Sequence, residues 1–349
     1  MENENDIKET HLKCDIYEPK NILLTGGAGF IGSHVAIHLA KSYPQCQLVV
    51  LDNLDYNSNM KNLEEIKDLT NFIFVQGDIT DFDTVNNVFK SHAIDTVLHF
   101  AAQSHVDLSV KYSLKFTHVN VIGTHVLLEN SRLNNIRRFI HVSTDEVYGS
   151  TDQIPDPNQP LEPTNPYACS KLAAECIVMA YRKYFQMPII ISRGNNVYGP
   201  HQFLEKVIPN FIFRLLDNKK CLIHGDGESE RDFLYISDVV NAFDHLLKYG
   251  RPDEIYNISS THGIKIKDLA KKIIHHIKNV KEGEEDEFIE YVADRNINDI
   301  RYKVDGTKIR SLGWDPKIDF DKGLQLTINW YTNNRDYWKI SDITLFEHN

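Results

Sequence analysis

A glycine-rich loop at residues 25–32 constrains the fold more than any other feature of this sequence. The loop reads TGGAGFIG, follows the apolar run Asn21–Thr25 and opens the amphipathic stretch Ile31–Ala40. Glycines in this arrangement permit a tight turn and let the backbone approach a pyrophosphate, which the unpaired N–H groups at a helix start then bind. The order of strand, turn and helix favours this interpretation over an ordinary glycine turn. The loop therefore predicts a dinucleotide site that is lined by Gly26, Gly29, Phe30, Ile31 and Gly32.

Beyond the loop, short apolar runs alternate with amphipathic stretches, which is the pattern of a parallel sheet with crossover helices. The predicted strands are Asn21–Thr25, Leu48–Leu51, Phe72–Val75, Thr96–His99, Phe139–Ser143 and Pro188–Ser192. The predicted helices between them are Ile31–Ala40, Asn59–Ile66, Val85–Phe89, Val119–Leu133 and Tyr167–Tyr184. The sequence thus predicts an α/β protein with a Rossmann-type doubly wound parallel sheet and a smaller C-terminal α/β substrate-binding lobe.

Length, charge and cysteine content limit the function classes. A chain of 349 residues exceeds what one core usually supports. The net charge of -11 excludes a nucleic-acid backbone binder, which needs clustered basic residues. The five cysteines are scattered, and no histidine pair with i,i+4 spacing has a supporting carboxylate, so we expect neither disulfides nor a metal. Because no targeting signal or long apolar run is present, we expect a cytoplasmic protein without a membrane partner.

A carboxylate at the end of the second predicted strand selects the cofactor. Asp52 stands twenty residues beyond Gly32. A carboxylate at this position accepts hydrogen bonds from the ribose hydroxyls and repels a 2′-phosphate, so it favours NAD over NADP. Asp78 and Ile79 follow the third strand and are predicted to flank the adenine. We therefore expect a polar tail at 1–20, an NAD-binding domain at 21–200, completed by parts of 235–263, and mainly a substrate-binding lobe at 201–349.

A tyrosine and a lysine stand four residues apart at the start of the helix predicted for Tyr167–Tyr184. Residues 164–166, TNP, mark the helix start because they supply a cap residue followed by proline in the first turn. The spacing places Tyr167 and Lys171 on one helix face, where the cation helps the phenol to lose its proton at neutral pH. Together with the glycine loop and with Ser143-Thr144 at a strand end, the pair indicates hydride transfer.

These features together resemble the extended short-chain dehydrogenase/reductases. Within that family, residues 143–149, STDEVYG, resemble the motif of nucleotide-sugar 4,6-dehydratases of the dTDP-glucose and UDP-glucose types. Further matches are residues 101–107 (AAQSHVD), 193–200 (RGNNVYGP), 294–295 (DR) and 298–302 (NDIRY), and the resemblance covers residues 21–331. It implies tightly held NAD, and it adds these residues to the cofactor site: Asn53, Asp55, Ala101, Ala102, Ser143, Tyr167 and Lys171.

The resemblance also implies a role for each catalytic residue. Tyr167 takes the O4 proton of the sugar as the C4 hydride passes to NAD, Lys171 lowers the Tyr167 pKa and holds the ribose, and Thr144 orients O4. The new 4-keto group acidifies the C5 hydrogen, which Glu146 removes while Asp145 protonates the departing C6 hydroxyl. Return of the hydride to C6 yields a 4-keto-6-deoxy sugar.

A negatively charged protein that binds a diphosphate needs a few arginine or lysine side chains next to the phosphates. By resemblance, Arg231 and Arg295 are predicted to bind the diphosphate. The other residues predicted to contact the substrate are Ser104, Thr144, Asn196, Glu205, Lys206 and Asn298. The resemblance further implies a homodimer in which the helices Val119–Leu133 and Tyr167–Tyr184 form the interface.

Several alternatives stay open at this point. Leu204 stands where the dTDP-glucose enzymes usually have proline, and Asn195 stands where they often have serine. The motifs at 193–200 and 298–302 look closer to those of UDP-glucose 4,6-dehydratases. A UDP-sugar is therefore favoured, as UDP-glucose or UDP-N-acetylglucosamine, while dTDP-glucose and an accompanying C5 epimerisation remain open. A UDP-sugar 4-epimerase is disfavoured by Asp145-Glu146, because epimerisation needs no acid and base at C5 and C6. A non-catalytic NAD-sensing protein is disfavoured by the intact Tyr167, Lys171 and Thr144.

Overall fold

The computed structural model describes residues 16–150, 160–260, 263–294 and 304–338. Its strands are β1 (Asn21–Thr25), β2 (Gln47–Asp52), β3 (Phe72–Gln76), β4 (Thr96–His99), β5 (Arg138–Thr144), β6 (Ile189–Gly194), β7 (Asn196–Tyr198), β8 (Cys221–His224), β9 (Glu230–Tyr235), β10 (Ile255–Ile258), β11 (Gly263–Lys265) and β12 (Ile289–Val292). Its α-helices are α1 (Phe30–Ser42), α2 (Phe82–His92), α3 (Val106–Lys111), α4 (Ser113–Phe116), α5 (Thr124–Leu133), α6 (Pro166–Phe185), α7 (Val207–Leu216), α8 (Ile236–Tyr249), α9 (Ile266–Lys278), α10 (Thr307–Arg310) and α11 (Phe320–Asn333). Turns of 3₁₀-helix cover Met60–Ile66, Asp145–Tyr148 and Glu285–Phe288, and a π-helical segment covers Thr117–Gly123.

The large sheet of the described chain has seven strands in the order β10-β6-β5-β4-β1-β2-β3. Every neighbouring pair in it is parallel. The chain runs outward from β1 to β3 and then returns to build β4, β5 and β6 on the other side of β1. The predicted doubly wound parallel sheet is confirmed, and its strand order reverses between β1 and β4. Open α/β sheets bind their ligands at such a reversal, beyond the carboxyl ends of the strands.

Helices cover both faces of this sheet, which explains why its strands read as continuous apolar runs. Successive residues of a strand point to opposite faces. Leu24 and Val50 pack with α1 and α8, whereas Leu23 and Val49 pack with α2, α5 and α6. All four side chains are fully buried. The sheet is therefore rigidly packed on both faces, and polar residues lie at the carboxyl ends of its strands.

Residues beyond β6 build a second hydrophobic core. Two small sheets, β11-β9-β7 and β12-β8, pack with α7, α9 and α11. This core includes Ile212, Ile223, Leu269 and Leu324, each of them fully buried. It supplies the wall that faces the carboxyl ends of the large sheet. Among the helices that the structure describes, none has the length and apolar character needed to span a bilayer.

The structure differs from the sequence prediction in three segments. β10 adds a seventh strand to the six predicted for the large sheet. The helix predicted for Val119–Leu133 begins as α-helix only at Thr124, because the preceding turns are π-helical. Like charges in a row favour solvent, and the acidic run Glu282–Glu287 is exposed except at Glu285, which begins a 3₁₀ turn, is buried and accepts hydrogen bonds from the His275 ring and the Gly283 N–H.

Candidate active site

A cleft of about 300 Å³ opens at the carboxyl ends of the large sheet, where the strand order reverses. Residues at the ends of its central strands line one side: Gly26 after β1, Ala101 after β4, Thr144 on β5 and Gly194 on β6. Residues of the second lobe, including Phe203 and Lys206, line the other side. Ligand sites of nucleotide size have this setting and volume range.

The glycine loop makes a cradle in which side chains would not fit. Gly26 has a φ of +73°, and a Cβ placed there would lie 2.6 Å from the backbone nitrogen of Ala101. A Cβ on Gly32 would overlap the carbonyl oxygen of Gly26. Gly29 precedes α1 and supplies no side-chain cap, and residues 29–32 at the start of this helix line the cleft. This arrangement fits a dinucleotide pyrophosphate.

Asp52 holds the glycine loop and borders the cleft. Its carboxylate accepts hydrogen bonds from the backbone N–H groups of Ala28 (2.9 Å) and Leu54 (2.8 Å). Burial raises the pKa of this carboxyl, although the two backbone donors oppose the shift. Asp52 therefore ties the end of β2 to the loop after β1 while it lines the same cleft.

Most residues predicted to contact the cofactor line this one cleft. They are Gly26, Gly29, Phe30, Ile31, Gly32, Asp52, Asn53, Asp55, Ile79, Ala101, Ala102, Ser143, Tyr167 and Lys171. Asp78 is outside the lining, since its carboxylate accepts from the Thr80 backbone and hydroxyl (both 2.8 Å) and from the Asn53 amide (3.1 Å). A contact between Asp78 and a cofactor stays a prediction. The Ser143 hydroxyl is buried with no hydrogen-bond partner among the described residues, so it can still bind a ligand.

Tyr167 and Lys171 project from the first turns of α6 towards the end of β5. The Asn165 side chain accepts from the Ala168 N–H at 2.9 Å, and Pro166 occupies the first turn, which places the helix start as the sequence predicts. The Lys171 ammonium is buried and donates to the Val142 carbonyl at 2.7 Å. Burial lowers its pKa to about 8, while the charge of Glu175 raises it.

The charges around the Tyr167 phenol differ from those implied by the resemblance. Removal from water raises the Tyr167 pKa well above its ordinary value, and the negative charges of Glu146 and Asp145 raise it further. A hydrogen bond with Thr144 opposes this shift. Lys171, which the resemblance gives the task of lowering this pKa, has its ammonium on the Val142 carbonyl instead. In this structure the phenol is therefore a protonated group, held by Thr144.

The adjacent carboxyls of Asp145 and Glu146 lie in different environments. They begin the 3₁₀ turn after β5, where the Thr144 hydroxyl accepts from the Glu146 N–H at 3.3 Å. Asp145 is buried, and burial together with the neighbouring charge of Glu146 raises its pKa to about 7. Glu146 is half-buried and accepts from the Asn165 amide at 2.9 Å. Environments of this kind separate a proton donor from a carboxylate base at neutral pH.

Four of the residues predicted to bind substrate line the cleft, and one contact among them joins the loop after β4 to the second lobe. Ser104, Asn196, Glu205 and Lys206 line it, and the Lys206 ammonium donates to the Ser104 carbonyl at 2.9 Å. Glu205 is buried, accepts from the Tyr56 hydroxyl at 3.0 Å and lies 3.7 Å from the Lys206 ammonium. Burial raises the Glu205 pKa.

The predicted diphosphate-binding cations are only partly within the described structure. Arg231 lies on β9, and its guanidinium donates to the Glu230 carbonyl at 2.9 Å. It does not line the cleft, but its positive charge lowers the pKa of Asp145, so the two side chains interact across the site. Arg295 and Asn298 lie outside the described residues.

Sequence reasoning missed the roles of two asparagines. Asn195 donates to Asp145 at 2.7 Å, and Asn165, predicted only as a helix cap, also donates to Glu146. The contact of Asn195 follows from the sheet register, in which Gly194 of β6 pairs with Thr144 of β5 so that the next residues are neighbours, and no sequence motif gives that register. Within the described ranges, no group of three His, Cys, Asp or Glu side chains is placed to hold a metal ion.

Comparison with known proteins identifies the family. The family model described as GDP-mannose 4,6 dehydratase matches residues 23–327. A dTDP-D-glucose 4,6-dehydratase of Mus musculus is 49% identical over 93% of this chain and 92% of its own length. A trifunctional UDP-glucose 4,6-dehydratase, 3,5-epimerase and reductase of Arabidopsis thaliana is 48% identical over 92% of this chain, which spans 49% of that protein.

A solved structure gives the same result. The dTDP-glucose 4,6-dehydratase DesIV of Streptomyces venezuelae, with NAD and TYD bound, superposes with a TM-score of 0.86 and 38% identity over 91% of this chain and 99% of its own. These comparisons confirm the predicted family, the hydro-lyase class and NAD as the cofactor. The chain belongs to the nucleotide-sugar 4,6-dehydratases of the extended short-chain dehydrogenase/reductases, a family of NAD-dependent hydro-lyases.

Proposed function

We propose that this protein converts UDP-glucose to the 4-keto-6-deoxy sugar. The observation that carries the dehydration is the pair Asp145 and Glu146, two adjacent carboxyls in different environments at the end of β5. UDP is favoured over dTDP because residues 193–200, RGNNVYGP, resemble the UDP-glucose enzymes. Relatives named for dTDP-glucose and for UDP-glucose have nearly equal identity, 49% and 48%, so both donors belong in the test.

Residues of the large sheet and its loops would hold the cofactor. The glycine loop, with the first turn of α1, would bind the pyrophosphate, and Asp52 would bind the adenosine ribose. We propose the division expected from the sequence, with residues 21–200 and parts of 235–263 for the cofactor and residues 201–349 mainly for the substrate. NAD, when bound, accepts the hydride of C4 and later returns it to C6.

Tyr167 would take the O4 proton of the sugar, and Thr144 would hold the phenol in place. Negative neighbours keep the phenol protonated in the structure, so the base function needs added positive charge. Lys171 would supply part of it by moving from the Val142 carbonyl towards the phenol. The positive charge of an oxidised nicotinamide would supply the rest.

Dehydration follows from the 4-keto group, which acidifies C5. Glu146 would remove the C5 proton, and Asp145, whose pKa of about 7 keeps about half of it protonated at neutral pH, would give its proton to the departing C6 hydroxyl. Water then leaves with the C6–O bond, and a double bond forms between C5 and C6. The hydride returns to C6 and Glu146 gives a proton back to C5, so the cycle has no net redox change and needs no second substrate.

Product analysis tests this proposal and names the donor. The purified protein is incubated with UDP-glucose, UDP-N-acetylglucosamine or dTDP-glucose in deuterated water, and products are followed by mass spectrometry and proton NMR. Loss of water from UDP-glucose, faster than from the other two donors, is the expected result. Isomerisation without mass loss would instead favour a 4-epimerase, and binding without turnover would favour an NAD-sensing protein. The C5 configuration of the product reports whether epimerisation accompanies dehydration.

We further propose a homodimer built on the two helices predicted for it, Val119–Leu133 and Tyr167–Tyr184, together with α3 and α4, which contact α6. Several apolar side chains of these helices and of the residues beside them are exposed in the single chain: Val110, Tyr112, Leu114, Ile122, Leu133, Tyr184 and Phe185. Exposed apolar groups in such number on adjoining helices are typical of an interface. Light scattering should give a dimer for the natural protein and a monomer for Leu114→Glu with Tyr184→Glu. Leu326→Glu, on α11, is the matched control and should leave the dimer intact.

We also propose a cytoplasmic location. The described cysteines, Cys46, Cys169, Cys176 and Cys221, are free thiols, which suits a reducing compartment. Fractionation of cells that produce the tagged protein should recover it with cytoplasmic markers.

A further inference from the structure

Asn195 connects the buried carboxyl of Asp145 to the backbone that follows β10. Its amide nitrogen lies 2.7 Å from Oδ2 of Asp145, and its amide oxygen accepts from the Ser260 N–H at 3.1 Å. The backbone N–H of Asn195 itself donates to the Ile258 carbonyl at 3.1 Å. The side chain is 5% exposed and lines the cleft. Asn195 is thus held at both ends.

The contact with Ser260 determines which way the Asn195 amide faces. A backbone N–H can only donate, so the amide oxygen must face Ser260 and the amide N–H group must face Asp145. Oδ2 of Asp145 therefore accepts a hydrogen bond. Because Oδ2 accepts the Asn195 amide N–H, a proton bound to Oδ2 could not also point towards the amide nitrogen. Oδ1 accepts from the Thr144 hydroxyl at 3.2 Å, but a hydroxyl, unlike an amide N–H, can rotate and accept instead, so the proton of the neutral carboxyl belongs on Oδ1.

We propose that Asn195 is a positioning residue that makes Oδ1 of Asp145 the oxygen that delivers the proton to the departing C6 hydroxyl. The proposal rests on the proposed dehydration. In that step the Oδ1–H bond of Asp145 breaks and its proton goes to the C6 oxygen. The C6–O bond breaks with release of water, the C5–H pair of electrons becomes the C5–C6 double bond, and Glu146 holds the C5 proton. Protons and electrons balance with no further reactant.

Charged and titratable groups from three neighbouring elements face Asp145. Glu146, on the same 3₁₀ turn, raises the Asp145 pKa, whereas Arg231 on β9 lowers it. Tyr167 on α6 is close enough for the Asp145 charge to raise its own pKa. The Asn195 amide and the Thr144 hydroxyl lower the Asp145 pKa by donating to the carboxylate. Removing the Asn195 donor should therefore raise the Asp145 pKa and free the carboxyl to rotate.

The first test measures the titration of Asp145 without substrate. The carboxylic-acid infrared band that is lost in Asp145→Asn is followed against pH in the natural protein, in Asn195→Ala and in Asn195→Asp. Removing a hydrogen bond to a charged group shifts the titration midpoint of that group by roughly one pH unit. The midpoint should rise by about that amount in Asn195→Ala. It should rise further in the isosteric Asn195→Asp, which places a second carboxyl beside the first. An unchanged midpoint in both variants would overturn the proposal.

The second test follows the reaction in a single turnover by the absorbance of reduced nicotinamide at 340 nm. Hydride transfer from C4 does not use Asp145, so its rate should change less than about threefold in Asn195→Ala, and so should KM. Loss of a positioned acid slows its step by up to roughly 10²-fold, so reduced nicotinamide should accumulate before it decays. Rapid decay with no accumulation, as in the natural protein, would contradict the positioning role.

Asn71→Ala is the matched control for both tests. The Asn71 amide also bridges backbone groups, donating to the Ala40 carbonyl at 3.0 Å and the Cys46 carbonyl at 3.2 Å, and it does not line the cleft. Asn71→Ala should lower the melting temperature without changing the titration midpoint of Asp145 or the amount of reduced nicotinamide that accumulates. If the natural protein removes no water from any donor, the proposed function fails, while the infrared midpoint still decides whether Asn195 controls the protonation of Asp145.

Discussion

Arg193 forms a buried bidentate ion pair with the carboxylate of Glu175, with Nη2 2.6 Å from Oε2 and Nε 3.1 Å from Oε1. The guanidinium also packs against the ring of Tyr148, 4.7 Å from its centre. Glu175 follows Lys171 by one turn on α6, and Tyr148 ends the 3₁₀ turn that carries Asp145 and Glu146. This buried pair thus joins the two segments that carry the candidate catalytic groups.

Breaking the pair should destabilise the fold strongly. Arg193→Met leaves Glu175 as an unpaired buried charge, which costs about 3–5 kcal/mol of unfolding free energy. Glu175→Gln combined with Arg193→Met removes both charges and should recover part of that loss. Urea unfolding at neutral pH measures both. The exposed pair Lys308–Glu254, at 2.7 Å, is the control, and Lys308→Met should cost less than about 1 kcal/mol. Equal losses for Arg193→Met and Lys308→Met would show that burial does not set the cost.

The raised pKa of Asp145 predicts a pH-dependent stability that is independent of activity. Its folded pKa of about 7 exceeds the ordinary value of 3.8, so the folded state binds a proton that the unfolded state releases. The associated stability is fully present below about pH 4 and is lost as the pH rises through 7. Asp145→Asn removes this titration. From pH 5 to pH 8 the natural protein should lose roughly 1–3 kcal/mol more unfolding free energy than the variant. Parallel stability curves for the two proteins would contradict a raised pKa at Asp145.

The close packing of the glycine loop predicts that a larger residue at Gly32 reduces the NAD content of the protein. Gly32→Ala places a methyl group against the Gly26 carbonyl, so the loop must open and its N–H groups lose their alignment. The purified variant should contain less than about a tenth of the NAD of the natural protein, measured by chromatography after denaturation. Gly313 has a φ of +90° and open space around it, so Gly313→Ala introduces backbone strain without a steric clash and controls for the general cost of replacing a glycine. Full NAD content in Gly32→Ala would argue against the cradle.

Local sequence patterns predicted the fold and most of the cleft well. The strand ends of a parallel sheet converge, so Gly26 and Thr144 could be placed together from the order of apolar runs, whereas Ala101 and the cofactor role of Ser143 came from the family resemblance. The π-helical segment Thr117–Gly123 and the burial of Glu285 could not be predicted, because both depend on packing between elements that are distant in sequence.

The electrostatics of the site depended on contacts that no motif encodes. The pairing of Asn195 with Asp145 requires the register of β5 against β6, which places Thr144 opposite Gly194. The position of the Lys171 ammonium on the Val142 carbonyl likewise depends on how α6 lies against β5. Spacing places two side chains on one helix face, but it does not determine which acceptor each one meets.

The central claim is that the site moves a hydride from C4 to C6 while it removes water. The most direct measurement uses UDP-glucose and dTDP-glucose that carry deuterium at C4, with the product analysed by NMR and mass spectrometry. We predict loss of one water and deuterium at C6, with Glu146→Gln and Asp145→Asn slowing this transfer. Deuterium that stays at C4 without loss of water, for both donors, would contradict the claim.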